Sequence, residues 1–213
     1  MNVIIIDDHP VVRYGIRAIL ETEADISVCA EAEDADTAMR LIEETKPDVA
    51  IVDIELKGNV NGIQLIMQIR QHFESVRSLV MSMDDGSLYA LRAMRAGAKG
   101  YVAKEEASER IVSAIRSVMR DEVYLSTDLA QKLASGGGEP RNRTADVSLL
   151  SNREFQIFRL IGQGYKRSEI SKETGMNINT IESHRRNIRE KLSLKNSAEL
   201  SRLAVEWYAS KKQ

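Results

Sequence analysis

Five short apolar runs recur through the first half of the chain: Val3–Ile6, Ile26–Ala30, Val49–Val52, Ser78–Met83 and Gly100–Ala103. Between them lie stretches whose apolar residues fall at helical spacing. Examples are Val11-Val12-Gly15-Ile16-Ile19-Leu20, Ala38-Leu41-Ile42, Ile63-Ile66-Met67-Ile69, Leu88-Leu91-Ala93-Met94 and Ile111-Ala114-Ile115-Val118. A strand that is apolar at nearly every position, and not at every second one, must be covered on both faces. Such strands alternating with amphipathic helices predict an α/β domain, a doubly wound five-stranded parallel sheet over residues 1–120. In sheets of this kind ligands bind beyond the carboxyl ends of the strands, where the strand order reverses.

The pattern stops after Met119. Residues 121–146 are expected to form a linker, in which Ser135-Gly136-Gly137-Gly138-Glu139-Pro140 has the composition of flexible chain and Thr127–Ala134 is a short amphipathic piece. Residues 147–213 read as a small all-α domain of four helices. Ser151-Asn152-Arg153-Glu154 forms a capping box that starts the first. The others are expected at about 166–174, 178–192 and 196–209. Gly175 can adopt the left-handed stop of a helix and Asn177 can cap the next one. Two helices across so short a turn make a helix-turn-helix.

Charge divides the same way. The whole chain carries −2, but residues 1–120 carry −6, residues 121–147 carry −2 and residues 148–213 carry +6. An acidic part joined to a basic part suggests two domains with different partners, the second a nucleic acid. With 43% hydrophobic and 29% charged residues the chain can build a core, which excludes disorder as its main state. No stretch approaches the roughly 20 apolar residues that span a bilayer. The opening Met1-Asn2-Val3-Ile4-Ile5-Ile6-Asp7-Asp8 lacks the basic segment of a secretion signal, so the cytoplasm is the expected compartment and no membrane partner is expected. One cysteine, Cys29, excludes an internal disulfide and a multi-cysteine zinc site, and is expected as a small buried thiol.

Asp7 and Asp8 end the first apolar run and Asp53 follows the third. If the first and third strands are neighbours, three carboxylates meet at one edge. They repel one another strongly unless a cation intervenes. Hard oxygen ligands select Mg²⁺. Ser82 and Lys104, near the ends of the fourth and fifth strands, add a hydroxyl and an ammonium to the same rim. Carboxylates, a metal, a hydroxyl and a lysine are what a phosphoryl group requires, and Asp53 is the nucleophile in that reading.

These residues resemble the landmarks of bacterial two-component response regulators: Ile6-Asp7-Asp8-His9-Pro10, Val52-Asp53, Ser82 and Tyr101-Val102-Ala103-Lys104. The C-terminal part resembles the LuxR-type helix-turn-helix of the NarL/FixJ subgroup, through Leu150-Ser151-Asn152-Arg153-Glu154, Gly164-Tyr165, Glu169-Ile170-Ser171, Asn179-Thr180-Ile181-Glu182-Ser183-His184-Arg185 and Lys191-Leu192. The resemblance implies a flavodoxin-like receiver phosphorylated on Asp53 by a sensor histidine kinase. It implies metal binding by Asp7, Asp8, Asp53 and the Glu55 backbone carbonyl, and a phosphoryl grip by Ser82 and Lys104. Tyr101 is the implied aromatic switch. The phosphorylated form is expected to be a homodimer on promoter DNA, paired through a receiver face near Ser82–Tyr101, with the first and last receiver helices as the alternative. No turnover beyond reactions of its own aspartyl phosphate is expected.

At 100° per residue Ile181, Ile188 and Leu192 form one stripe of the 178–192 helix, and Asn179, Ser183 and Arg186 lie opposite. An N-terminal half presenting polar and basic groups suits a recognition helix in the major groove. Arg186 is expected to meet a guanine or a phosphate and Glu182 a cytosine amino group, with Thr180 in the same DNA-facing set. Lys166, Arg167 and Arg189 are expected phosphate contacts; His184 and Arg185 lie toward the buried side.

Two other readings share part of this pattern. A haloacid-dehalogenase-type phosphotransferase also uses an Asp nucleophile and Mg²⁺, but Asp53-Ile54-Glu55 lacks its second Asp and the helix-turn-helix is left unexplained. A constitutive DNA binder with a receiver used only for docking would not need the acidic set. The loop after Asp53, through Lys57-Gly58-Asn59, departs from the family pattern in lacking Pro and in being one residue longer.

Overall fold

The computed structural model describes residues 1–56, 60–83, 87–134 and 147–210. The loop residues 57–59 and the Gly-rich stretch within 135–146 lie outside the described residues. The chain divides into two compact units, Met1–Gly138 and Glu139–Gln213.

In the first unit strands and helices alternate: β1 (Asn2–Ile6), α1 (Pro10–Leu20), β2 (Ser27–Ala32), α2 (Ala35–Thr45), β3 (Val49–Asp53) and α3 (Gly62–His72). β4 (Arg77–Ser82), α4 (Ser87–Ala96), β5 (Gly100–Ala103), α5 (Ala107–Met119) and α6 (Thr127–Ala134) follow. The sheet is five-stranded with order β2-β1-β3-β4-β5, and all neighbours are parallel. The apolar runs thus became strands, and β1 and β3 are neighbours.

Period-2 alternation sends successive side chains to opposite faces. Val3, Ile5, Val49, Ile51, Leu79 and Met81 meet Ile16 and Leu20 of α1 and Ile111, Ala114, Ile115 and Val118 of α5 in one core. Ile4, Ile6, Ala50, Val52 and Val80 are also fully buried, on the other face, where α2, α3 and α4 pack. β2 is an edge strand, so Cys29 is half-buried and not the buried thiol expected. Its Sγ lies 3.4 Å from the Val3 carbonyl oxygen.

The opposite edge is covered by chain expected to be linker. Tyr124 bridges to Gly100 in parallel sense: the Tyr101 amide donates to the Tyr124 carbonyl at 2.9 Å, and the Tyr124 amide donates to the Lys99 carbonyl at 3.0 Å. α6 packs on α4, with Leu129 buried. Residues 121–134 therefore lie within the first unit: the Tyr124 backbone pairs with the β5 edge and α6 packs on α4.

The second unit holds α7 (Asn152–Gly162), α8 (Arg167–Thr174), α9 (Ile178–Lys191) and α10 (Ser197–Ser210). The capping box closes as the sequence predicts: the Ser151 amide donates to Glu154 Oε2 at 2.7 Å and the Glu154 amide to Ser151 Oγ at 3.3 Å. Phe155 and Phe158 are fully buried, and Trp207 of α10 meets both edge-on, at centroid distances of 5.3 and 5.7 Å. Gly175 stops α8 at φ 68°, and the Asn177 side chain caps α9 by accepting from the Thr180 amide at 2.8 Å. Among the described residues no helix is long and apolar enough to cross a membrane.

Candidate functional site

The parallel register assembles the acidic site. Ile6 pairs with Val52, so the next residues, Asp7 and Asp53, come level at the carboxyl ends of adjacent strands. On the other side Asp53 pairs with Met81 and Ser82 with Ala103, which brings Ser82 and Lys104 to the same edge. The metal-ligating atoms of Asp7, Asp8, His9 and Asp53 all lie within 4.8 Å of one another. Asp7 and Asp53 are 0% and 1% exposed.

Lys104 closes the group. Its Nζ lies 2.7 Å from Asp53 Oδ2 and 2.7 Å from Asp7 Oδ2. Burial lowers the Lys104 pKa, but Asp53 and Asp7 outweigh it and leave the group above its ordinary value. Asp53 shows the opposite balance. Burial and the Asp7 charge raise it against the pull of Lys104, to about 6. Three carboxylates thus face one ammonium, and the deficit of positive charge is what a divalent cation fills. Carboxylate oxygens are the donors that a hard divalent cation takes, and this cluster could hold one.

Several supporting residues escaped the sequence reading. His9 donates its amide to Asp7 Oδ1 at 2.8 Å, and its Nδ1 lies 2.8 Å from Asp8 Oδ1, so the ring orients two carboxylates. Arg13 donates to the Asp7 carbonyl at 2.6 Å and pairs with Glu31. Gly62 starts α3 against the nucleophile strand: a Cβ there would overlap the Asp53 carbonyl oxygen and lie 2.7 Å from the Ile54 Cα. The Asn61–Gln64 capping box fixes that helix start. Only the Asn-Gly pair hinted at it.

Glu55 donates its amide to Asp53 Oδ1 at 3.2 Å, which leaves its carbonyl as the ligand candidate. Ser82 is fully buried at the sheet edge. Tyr101 already lies inward, 2% exposed, and with Ser126 and Leu129 lines a cleft of about 160 Å³ beside α6.

In the second unit Ile181 and Ile188 are fully buried and Leu192 nearly so, as the helical phase predicts. Asn179, Ser183 and Arg186 are exposed, as are Lys166 and Arg167 at the start of α8; Arg189 is half-buried. The structure gives several of the DNA-facing candidates intramolecular partners, Thr180 and Glu182 among them. The Thr180 hydroxyl donates to Asn177 Oδ1 at 3.0 Å, inside the helix cap. Glu182 Oε1 lies 3.3 Å from Arg167 and 3.6 Å from Arg185, which ties α8 to α9.

Residues 3–116 match the response regulator receiver domain, and residues 148–204 match the bacterial regulatory proteins of the luxR family. The chain belongs to the LuxR-type response regulators. It is 33% identical over 210 residues to the oxygen regulatory protein NreC of Staphylococcus carnosus, covering 96% of this chain and 97% of that one. Among solved structures, RcsB of Salmonella enterica serovar Typhimurium, bound to promoter P1flhDC with the phosphomimetic BeF3⁻, is 29% identical. The match covers 97% and 98% of the two chains at a TM-score of 0.69. A structure of two RcsB dimers on two parallel DNAs matches at 27% identity and TM-score 0.59, covering 100% and 99%. This response regulator therefore joins a receiver to a DNA-binding domain and serves transcription regulation.

Proposed function

We propose that Asp53 receives a phosphoryl group from a histidine of a sensor kinase, and that this switches dimerisation and promoter binding. The observation that carries the reading is the Lys104 ammonium shared by Asp7 and Asp53 at the mouth of a carboxylate cluster. An Asp53 carboxylate oxygen attacks phosphorus in line, a P–O bond forms, and the P–N bond to the histidine breaks with its electron pair returning to the imidazole. Bound Mg²⁺ supplies charge neutralisation for the phosphoryl oxygens. Asp7, Asp8, Asp53 and the Glu55 carbonyl would hold it, while Lys104 would pair with the phosphoryl group and Ser82 would donate to it.

Tyr101 passes the change on. Its backbone is bonded to Tyr124 and it lines a cleft together with Leu129 of α6, so a shift at Ser82 can reach that segment. Val11 and Tyr14, 82% and 70% exposed, lie three residues apart on α1, a helix that packs on α5; these exposed apolar side chains support dimerisation through the first and last receiver helices. RcsB forms dimers on DNA; pairing two reading helices on half-sites raises effective concentration without new contacts. The protein acts in the cytoplasm and turns over nothing beyond its own aspartyl phosphate.

Sedimentation tests the switch. With Mg²⁺ and a small phosphodonor the full chain should sediment as a dimer and bind its selected duplex more tightly than the untreated chain. A monomer under saturating phosphorylation, with and without DNA, would contradict it.

A further inference from the structure

Ile178 is the first residue of α9, directly after the Asn177 cap, and it is 48% exposed. A β-branched apolar side chain gains little at a helix start and leaves hydrocarbon in water. Its neighbours sharpen the question. Thr180 is bound into the cap, the Ser183 hydroxyl donates back to the Asn179 carbonyl at 3.1 Å, and Glu182 is held by Arg167 and Arg185. The first turn of the reading helix therefore offers few uncommitted polar groups, and Ile178 and Asn179 are the exposed residues at its start.

In the major groove the only apolar mark on a base edge is the thymine C5-methyl, and N-terminal residues of a recognition helix are those that reach base edges. We infer that Ile178 is a specificity-determining residue that packs on a thymine methyl group in the operator. The inference rests on the proposed promoter binding through α9. Asn179, next in the chain and also exposed, has the donor–acceptor pair suited to adenine.

The test uses the full phosphorylated chain and the duplex recovered by selection from a random library. Each thymine is replaced in turn by uracil, which deletes only the methyl group. Loss of one buried methyl group corresponds to about a three- to fivefold weaker affinity. The wild type should show that loss at one thymine per half-site, Ile178→Ala should bind thymine and uracil duplexes equally there, and Ile178→Val should fall between. Thermal unfolding of the variants should match the wild type, since Ile178 lies outside the core. Equal binding of thymine and uracil at every position by the wild type would overturn the inference, as would an Ile178→Ala variant that keeps the full uracil penalty. A chain that binds no duplex selectively would instead overturn the promoter-binding reading, and this inference with it.

Discussion

Lys191 Nζ lies 2.7 Å from Glu154 Oε2, so the last turn of the reading helix is tied to the cap of α7. Burial raises the Glu154 pKa, but hydrogen bonds from Lys191 and Ser151 outweigh it and hold the carboxyl below its ordinary value. A depressed carboxyl contributes stability that is present above about pH 4.5 and lost as pH falls through the lowered folded value. Glu154→Gln keeps the capping geometry and removes the ion pair. It should cost about 1 kcal/mol at pH 7, modest because Lys191 is half-exposed. Glu154→Ala removes the cap as well and should cost about 2 kcal/mol. Chemical denaturation at pH 7 and pH 4 checks both, and the difference between wild type and Glu154→Gln should shrink at the lower pH.

Gly62 should tolerate no side chain. A Cβ there overlaps the Asp53 carbonyl oxygen, and both groups are backbone that cannot swing aside. Gly62→Ala should destabilise the first unit by about 1–3 kcal/mol and displace the end of β3. Phosphorylation of the folded variant should fall more than its stability accounts for. A variant phosphorylated at the wild-type rate would mean that the position of Asp53 is not fixed from this side.

Metal binding should compete with a proton. Burial holds the Asp53 pKa at about 6 in the metal-free site, so below pH 6 the carboxyl must lose a proton before it can ligate. Apparent Mg²⁺ affinity should be flat above pH 7 and fall about tenfold per unit below pH 6. In Asp53→Asn this step should vanish and residual binding should be weak. Calorimetric titration at pH 5 and pH 7.5 checks the sign.

Arg186 and Lys166 should fail differently. Arg186 is exposed on the face opposite the buried stripe and approaches Glu190 at 4.0 Å. Arg186→Ala should cost about 1–3 kcal/mol and relax preference at one base position. Lys166 stands before α8, where backbone contact is expected. Lys166→Ala should weaken all sequences about equally and lower the salt slope by about one. Site selection and salt titrations separate the two.

The sheet and its site were legible because burial on both faces leaves an unmistakable run of apolar residues, and residues that end such runs meet at one edge. The reading helix was legible because Ile181, Ile188 and Leu192 mark its buried side. Pairing partners were not. That Tyr124 covers the β5 edge depends on backbone hydrogen bonds, which any side chain can accompany. That Glu182 turns to Arg167 depends on the packing of α8 on α9, which helical phase alone does not encode. Gly62 acts through the close approach of α3 to the end of β3, and His9, although it stands in the run Ile6–Pro10, acts through contacts to Asp7 and Asp8 that the sequence does not show.

Asp53 should accept the phosphoryl group only with help from a divalent cation, and intact-mass measurement after incubation with Mg²⁺ and a small phosphodonor reads this out. The wild type should gain one phosphoryl group, while Asp53→Asn with Mg²⁺ and wild type without a divalent cation should gain none. A phosphorylated Asp53→Asn variant, or full labelling of the wild type in chelator, would contradict the account.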